Sequence, residues 1–209
     1  IAKRAFILKS QQNTNMSVIG ITGGIASGKS TFCRMLADRI NAEIFDADAE
    51  ARMLLERNPE VREAVTREIS TAAYDENGEP DRAEIRRVIF ADPCAKARLE
   101  EILHPRVRER WMVLAAEKRQ ANGSLLVDIP LLFENHLESY FSLVITVACS
   151  RETQIKRVVA RGIESQVAER ILAAQTPTLE KISRANVVVW NDGCLEVLEF
   201  QADELVKRG

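Results

Sequence analysis

Gly23 and Gly28-Lys29-Ser30 fit the spacing GxxxxGK[ST]. Glycines at these positions let the backbone curl until successive N–H groups converge on phosphate oxygens. A helix starting at Lys29 would present its positive N-terminus to the same place. Gly24, Ile25, Ala26, Ser27, Gly28, Lys29, Ser30 and Thr31 are therefore candidates for a nucleotide-binding loop. In it, Lys29 reaches the β- and γ-phosphates and the Ser30 hydroxyl ligates Mg²⁺. A second feature is Leu125-Leu126-Val127-Asp128, an apolar run closed by a carboxylate. Beside a phosphate loop such a residue holds Mg²⁺ or its water; alone, it is equally a cap.

Two further groups could act on an acceptor. Asp46 and Asp48 follow a short apolar run and should open at the carboxyl edge of a sheet. If the strand continues they point the same way, one facing the site and the other capping a helix. A carboxylate there can orient a hydroxyl and accept its proton. Arg157 and Arg161 are four apart, hence on one helix face. They could close over a transferring phosphoryl group, or form a solvated face. Together these residues suit nucleotide-dependent phosphoryl transfer. A guanine-reading NKxD is missing from the sequence, which disfavours a switch GTPase. A motor ATPase usually needs a larger chain, so a small-molecule kinase fits best.

The elements that must position these residues are legible from periodicity. Val18 to Thr22 reads as a buried strand and Lys29 to Ile40 as a helix with Phe32, Leu36 and Ile40 on one face. Ala42 to Phe45 reads as a strand and Ala49 to Leu55 as a helix. Residues 59–120 are charged and mostly helical in pattern, broken by the turn-rich 75–80, and closed by Asn122-Gly123. Ser124 to Ile129, Leu143 to Ala148 and Val187 to Trp190 read as strands, and Leu195 to Lys207 as a closing helix. Apolar strands alternating with helices predict an α/β fold with a parallel sheet covered on both faces.

Bulk properties narrow the class. The chain has 209 residues, 46% hydrophobic and 29% charged, with a net charge of −2. That balance argues against nucleic-acid and polybasic membrane partners. The longest apolar run, within Leu125 to Phe133, is too short to span a bilayer. Cys33, Cys94, Cys149 and Cys194 form no CxxC pair, and His104 and His136 are the only histidines. Scattered reduced thiols of a cytoplasmic protein fit better than a zinc site. Residues 1–15 are basic without acids, and are expected to be an extension outside the functional unit, without ordered structure.

From about Met16 to the C-terminus the chain also resembles a known family. The stretches are IGITGGIASGKST, FDADAEAR, DRAEIRRVIFADP, LEEILHPRV, VDIPLLFE, ETQIKRVVAR, RILAAQTP and NVVVWNDG. In this order they resemble the dephospho-coenzyme A kinases. These transfer the γ-phosphoryl of ATP to the ribose 3′-hydroxyl of dephospho-coenzyme A, the last step of coenzyme A synthesis. The resemblance implies a P-loop kinase core of five parallel strands (16–58, 121–150 and 183–209), a helical substrate-binding insertion (59–120) and a helical lid (151–182). It implies ATP and Mg²⁺ as cofactors, with Ser30 and Asp128 at the metal, and a small-molecule substrate.

By the same resemblance Asp48 is the base, Lys29, Arg157 and Arg161 are catalytic, and Asn191 and Gly193 lie near the adenine. Asp48, Arg82 and His104 fall among substrate-binding positions. His104-Pro105 also reads as a helix-starting turn. Departures from the family pattern are Ala26 for glycine, strained unless its φ is negative, Gly162 for an aspartate in the lid, and Asn186 and Trp190 near the adenine loop. The last two bear on purine preference. A kinase for another small acceptor and a non-catalytic nucleotide binder are the alternatives. Oligomeric state is open.

Overall fold

The structure, a computed structural model, describes residues 6–8, 17–173 and 175–208. Two compact units are present, Asp46–Leu114 and the remainder of the chain.

The larger unit is built on a sheet of order β1-β6-β5-β2-β4-β3. Its strands are β1 (Phe6–Leu8), β2 (Val18–Thr22), β3 (Glu43–Asp46), β4 (Leu125–Asp128), β5 (Leu143–Ala148) and β6 (Val187–Trp190). The expected five-stranded parallel sheet is present. β2 pairs in parallel with β4 and β5, and β5 with β6. Ile21 lies opposite both Asp128 and Ile145, so the carboxyl ends of these strands open at one edge. β1 adds to the outer edge of β6 in the antiparallel sense. This corrects the expectation for these three residues: an edge strand leaves N–H and C=O groups unpaired, and a short apolar segment can satisfy them. The rest of 1–15 lies outside the described residues.

One face of the sheet is covered by α1 (Lys29–Ile40) and α9 (Leu195–Arg208). Alternate residues Ile19, Ile21, Ile145, Val147, Val187 and Val189 meet Phe32 and Leu36 of α1 and Leu198, Ala202 and Leu205 of α9 in one buried cluster. Full burial of each such side chain contributes about 1.5–3 kcal/mol. On the other face Gly20 permits a close approach: a Cβ there would lie 2.7 Å from Leu132 and 2.8 Å from Phe141. Three more helices follow β5: α6 (Arg151–Val159), α7 (Ser165–Ala173) and α8 (Thr178–Arg184).

The smaller unit is helical, comprising α2 (Ala47–Arg57), α3 (Pro59–Glu68), α4 (Arg82–Ala91) and the first part of α5 (Pro93–Gln120). Its helix starts are set locally. Asp46, Asn58 and Asp81 accept first-turn N–H bonds from Ala49, Val61 and Ala83, and Pro59 opens α3. These are the residue types that satisfy orphan donors. The turn at 75–80 is closed by Asp75, which accepts from the N–H groups of Asn77 and Glu79. At its far end α5 stops at Asn122, in the left-handed region at φ 52°, with Gly123 N–H bonded back to the Lys118 carbonyl.

α5 runs through Pro105 without a break. His104-Pro105 is therefore not a helix-starting turn. Pro105 removes one intrahelical donor, and the Arg106 guanidinium donates to the Ile102 carbonyl at 2.8 Å beside it. Long-range packing of Leu99, Ile102, Val107 and Trp111, all buried, holds the helix together.

Candidate functional site

The phosphate loop leaves β2 at Gly23 and enters α1 at Lys29. Its glycines are dictated by contact. A Cβ on Gly23 would lie 2.3 Å from the Val147 carbonyl oxygen, and one on Gly28 only 2.0 Å from the Asn191 amide nitrogen. Gly28 also has φ 90° and caps α1, with no side chain bonded to that helix end. The first-turn N–H groups of α1 are thus free of a side-chain cap, as an anion site requires. Ser27 Oγ is buried without a hydrogen-bond partner, a polar atom inside the loop that a ligand can satisfy.

Ala26 sits at φ 57°. Of the two outcomes the substitution allowed, the strained one is realised, at a cost of about 1–2 kcal/mol for an L-residue in this region. The methyl is not idle. It is buried with Val158 of α6 and Ala168 of α7, and Ile25 and Ile163 pack on the same cluster.

Polar bonds reinforce that junction. Gln154 Nε2 donates to the Ile25 carbonyl at 2.9 Å, and Ile25 N–H donates to Gln175 Oε1 at 2.9 Å. Arg157 donates to the carbonyls of Ala26, Ser27 and Asn191 at 3.2, 3.4 and 2.9 Å. In this structure Arg157 is thus engaged with backbone. Arg161 is exposed and lies beyond α6, in a turn ending at Gly162. The two arginines therefore do not share one helix face as their spacing predicts: Gly162, at φ 84°, terminates the turn.

At the neighbouring strand ends, Lys29 forms an ion pair with Asp128. Asp128 is 4% exposed, so its carboxylate is held against the loop. Ser30, at the second position of α1, is exposed. Asn191 is committed to the scaffold: its N–H donates to the Ala148 carbonyl at 2.7 Å and its amide to the Ser27 carbonyl at 2.8 Å. Gly193 follows in an exposed turn.

Between them, Asp192 accepts from Ser150 N–H at 2.9 Å, Ser150 Oγ at 3.0 Å and Trp190 Nε1 at 2.8 Å. Burial alone would raise its pKa, but these bonds outweigh it and hold the carboxyl below its ordinary value. Trp190 is thereby fixed beside the 191–194 turn. Asn186 stands at the opposite end of β6, where it exchanges bonds with Val144 of β5. It lies just before β6 and not, as expected, near the adenine loop.

Asp46 is both the last residue of β3 and the cap of α2, so the chain has left the strand by Asp48 and the two do not alternate along it. Asp48 is exposed in the first turn of α2. Arg82 is paired with Glu56. His104 is solvent-facing; partial burial of the ring lowers its pKa, Glu100 opposes this and Arg108 adds to it. Gln154, Gln175 and Asp192 were not singled out from the sequence. The first two lie inside the family-like stretches ETQIKRVVAR and RILAAQTP, which was the available signal.

Comparison with known proteins decides the identity. The family model described as Dephospho-CoA kinase matches residues 17–196. The chain belongs to the dephospho-CoA kinase family. Curated dephospho-CoA kinases from Anaeromyxobacter dehalogenans and Geobacter sulfurreducens are 40% and 38% identical to it, over 91% of this chain and 91% and 97% of theirs. A solved structure from Thermus thermophilus, 33% identical, superposes with a TM-score of 0.76 over 91% of this chain and 96% of that one. The dephospho-CoA kinase of Campylobacter jejuni, 23% identical, shares the fold at a TM-score of 0.63, covering 91% of this chain and 96% of its own.

The chain is thus a P-loop kinase that uses a nucleotide in the final step of coenzyme A biosynthesis. Among the described residues, no helix is long and apolar enough to cross a membrane.

Proposed function

We propose that the chain transfers the γ-phosphoryl of ATP, with Mg²⁺, to the ribose 3′-hydroxyl of dephospho-coenzyme A in the cytoplasm. The observation that carries the nucleotide reading is the uncapped start of α1 beside Gly28 and Lys29, with the unpartnered Ser27 hydroxyl inside the loop. The donor set fits a hard cation: the Ser30 hydroxyl and the Asp128 carboxylate are oxygen ligands, too few for an all-protein cage but suited to a metal shared with phosphates. When bound, Mg²⁺ neutralises charge developing on the phosphate oxygens.

The protein's own residues do the rest. The Gly24–Thr31 backbone holds the phosphates, and Lys29 exchanges Asp128 for their oxygens. Asp48 accepts the proton of the 3′-hydroxyl while its oxygen bonds to the γ-phosphorus and the bond to ADP breaks. An exposed carboxylate in the first turn of α2, directly after the carboxyl end of β3, supports this role. Arg161, free of the bonds that hold Arg157, offers its charge to the equatorial oxygens. Arg82 and His104 of the helical unit serve the acceptor, and residues 151–182 form the lid that excludes water.

The test is ADP release with Mg-ATP and dephospho-coenzyme A, with adenosine, AMP and shikimate as competing acceptors. Turnover is expected with dephospho-coenzyme A only, with coenzyme A as product by mass. Asp48→Asn should lower kcat by about 10²-fold or more with ATP affinity retained. Wild-type kcat in that variant removes Asp48 as the base.

A further inference from the structure

Lys181 is 1% exposed, one of the largest fully buried side chains in the protein, and it carries a charge. It lies on α8, outside every position discussed so far. Its ammonium donates to the Pro130 carbonyl at 3.1 Å and pairs with Glu134 at 2.8 Å. Its own carbonyl accepts from Thr146 Oγ1 of β5 at 3.4 Å.

The same Pro130 carbonyl accepts from Thr22 Oγ1 at 3.0 Å. Thr22 is the last residue of β2 and directly precedes Gly23. Pro130 follows Asp128 by two residues, and Ile129 N–H is bonded to the Ile21 carbonyl at 2.9 Å. One carbonyl oxygen is therefore gripped by the residue leading into the phosphate loop and by the buried ammonium. The turn it belongs to begins at the carboxylate that pairs with Lys29. One helical turn on, Arg184 donates to the Phe133 carbonyl at 3.0 Å and stacks 4.8 Å above the Phe133 ring. α8 thus fixes residues 130–134 at two points.

Stability does not account for this arrangement. Desolvating an ammonium and a carboxylate costs about as much as their attraction returns, and apolar replacements of such pairs are often neutral or stabilising. Burial works to raise the Glu134 pKa, and the bonds from Lys181, Thr176 and its own backbone together with the Lys181 charge outweigh it, so the carboxyl is held below its ordinary value. What the pair does supply is direction: a charge-assisted bond fixes a carbonyl more sharply than apolar packing does.

We propose that Lys181 is a positioning residue for phosphoryl transfer, setting the turn after β4 and hence the Asp128 carboxylate toward the nucleotide-bound divalent cation. The inference rests on the reading of Asp128 as a metal-shell residue. It also places the 151–182 segment in the path of control, because α8 follows α7 directly in the chain and delivers Lys181.

The experiment compares Lys181→Met, Lys181→Arg, Lys181→Met/Glu134→Gln and Asp128→Asn. ADP binding is measured by calorimetry with Mg²⁺ and with EDTA, and turnover against Mg²⁺ well below each melting temperature. Lys181→Met should raise the Mg²⁺ half-saturation and lower kcat, each by about tenfold, the scale of lost outer-shell support. Its ADP affinity in EDTA should stay within about twofold, since Lys181 touches none of the loop amides. Lys181→Arg should restore most of the loss. The double variant removes both charges, so it leaves no unpaired buried carboxylate, and should fold with the same Mg²⁺ defect.

A lowered melting temperature in Lys181→Met and the double variant, with wild-type Mg²⁺ dependence and kcat, would overturn the proposal. If Asp128→Asn also leaves the Mg²⁺ dependence unchanged, the metal reading of Asp128 fails. If Asp128→Asn shifts it and the Lys181 variants do not, only the positioning role fails.

Discussion

Arg157 and Asn191 close a ring around the phosphate loop. The guanidinium donates to the Asn191 carbonyl at 2.9 Å, and the Asn191 amide donates to the Ser27 carbonyl at 2.8 Å. Arg157 returns to Ser27 itself at 3.4 Å. Three segments distant in sequence, the loop, α6 and the end of β6, are thereby locked to one another. A guanidinium suits this place because its fork of donors reaches several carbonyls at once.

This separates the two arginines experimentally. Arg157→Ala strands the Ala26 and Asn191 carbonyls, while Ser27 keeps its Asn191 donor, and should lower unfolding free energy by about 2–3 kcal/mol, the cost of losing charge-assisted bonds. Arg161→Ala, at an exposed turn, should leave stability within about 0.5 kcal/mol. It should instead lower kcat by about 10²–10³-fold if it meets the transferring phosphoryl group. Urea unfolding and steady-state turnover on both variants provide the check.

Ala26 sets a balance that can be measured. Ala26→Gly relieves about 1–2 kcal/mol of left-handed strain. It loses about 0.8 kcal/mol of methyl burial and about 0.5–1 kcal/mol to backbone entropy. The net change should fall within about 1 kcal/mol of zero. Ala26→Val, β-branched at φ 57°, should destabilise by more than about 2 kcal/mol. Limited proteolysis should then open the Ala26–Val158–Ala168 junction first, and cleavage starting elsewhere would count against that cluster as the link between loop and α6.

The cysteines should divide by environment. Burial pushes the Cys149 thiol up to about 11, against the nearby positive charge of Arg157. Cys33 and Cys149 are buried, and Cys94 and Cys194 exposed. Since the thiolate is the reactive form, iodoacetamide at pH 7.5 should alkylate Cys94 and Cys194 and spare the other two until denaturant is added. Peptide mass mapping reads the pattern directly.

His104 makes stability fall on the acid side. Its pKa is held down by burial of the ring, so the unfolded chain binds the proton more readily. Stability is then fully present above the unfolded histidine value of about 6.5 and decreases as pH drops below it. Urea midpoints at pH 7.5 and 5.5, with His104→Gln as the comparison, should show a smaller acid loss in the variant. An NMR titration should place the ring below the free value.

Much of the fold was legible because it rests on period and local chemistry. The strands at Val18–Thr22, Leu143–Ala148 and Val187–Trp190 and the helix at Lys29–Ile40 have the bounds that apolar runs and the first loop residue indicate. The core that α1 and α9 share was visible in Phe32 and Leu36. Continuous helix through Pro105 was not legible, because proline's local penalty is overcome there by buried neighbours along α5. Nor was the break after Val159, which turns on Gly162 and a left-handed φ of 84°.

The site divides along the same line. Spacing alone determined the phosphate loop, since glycine, lysine and hydroxyl residues at set intervals are what phosphate contact demands. Residue types alone also marked Asp46 or Asp48, Asp128 and the two arginines as chemistry-bearing, and the family resemblance singled out Asp48. Only the tertiary structure decided their partners: Arg157 on three carbonyls, Lys29 on Asp128, Asn191 on Ser27, and a buried Lys181 behind the turn after β4. The physical reason is range. Backbone geometry and amphipathic period are encoded within a few residues, whereas each of these bonds joins residues 34 to 164 positions apart or spans helix to strand end. No local pattern carries that information until the sheet brings its carboxyl ends together.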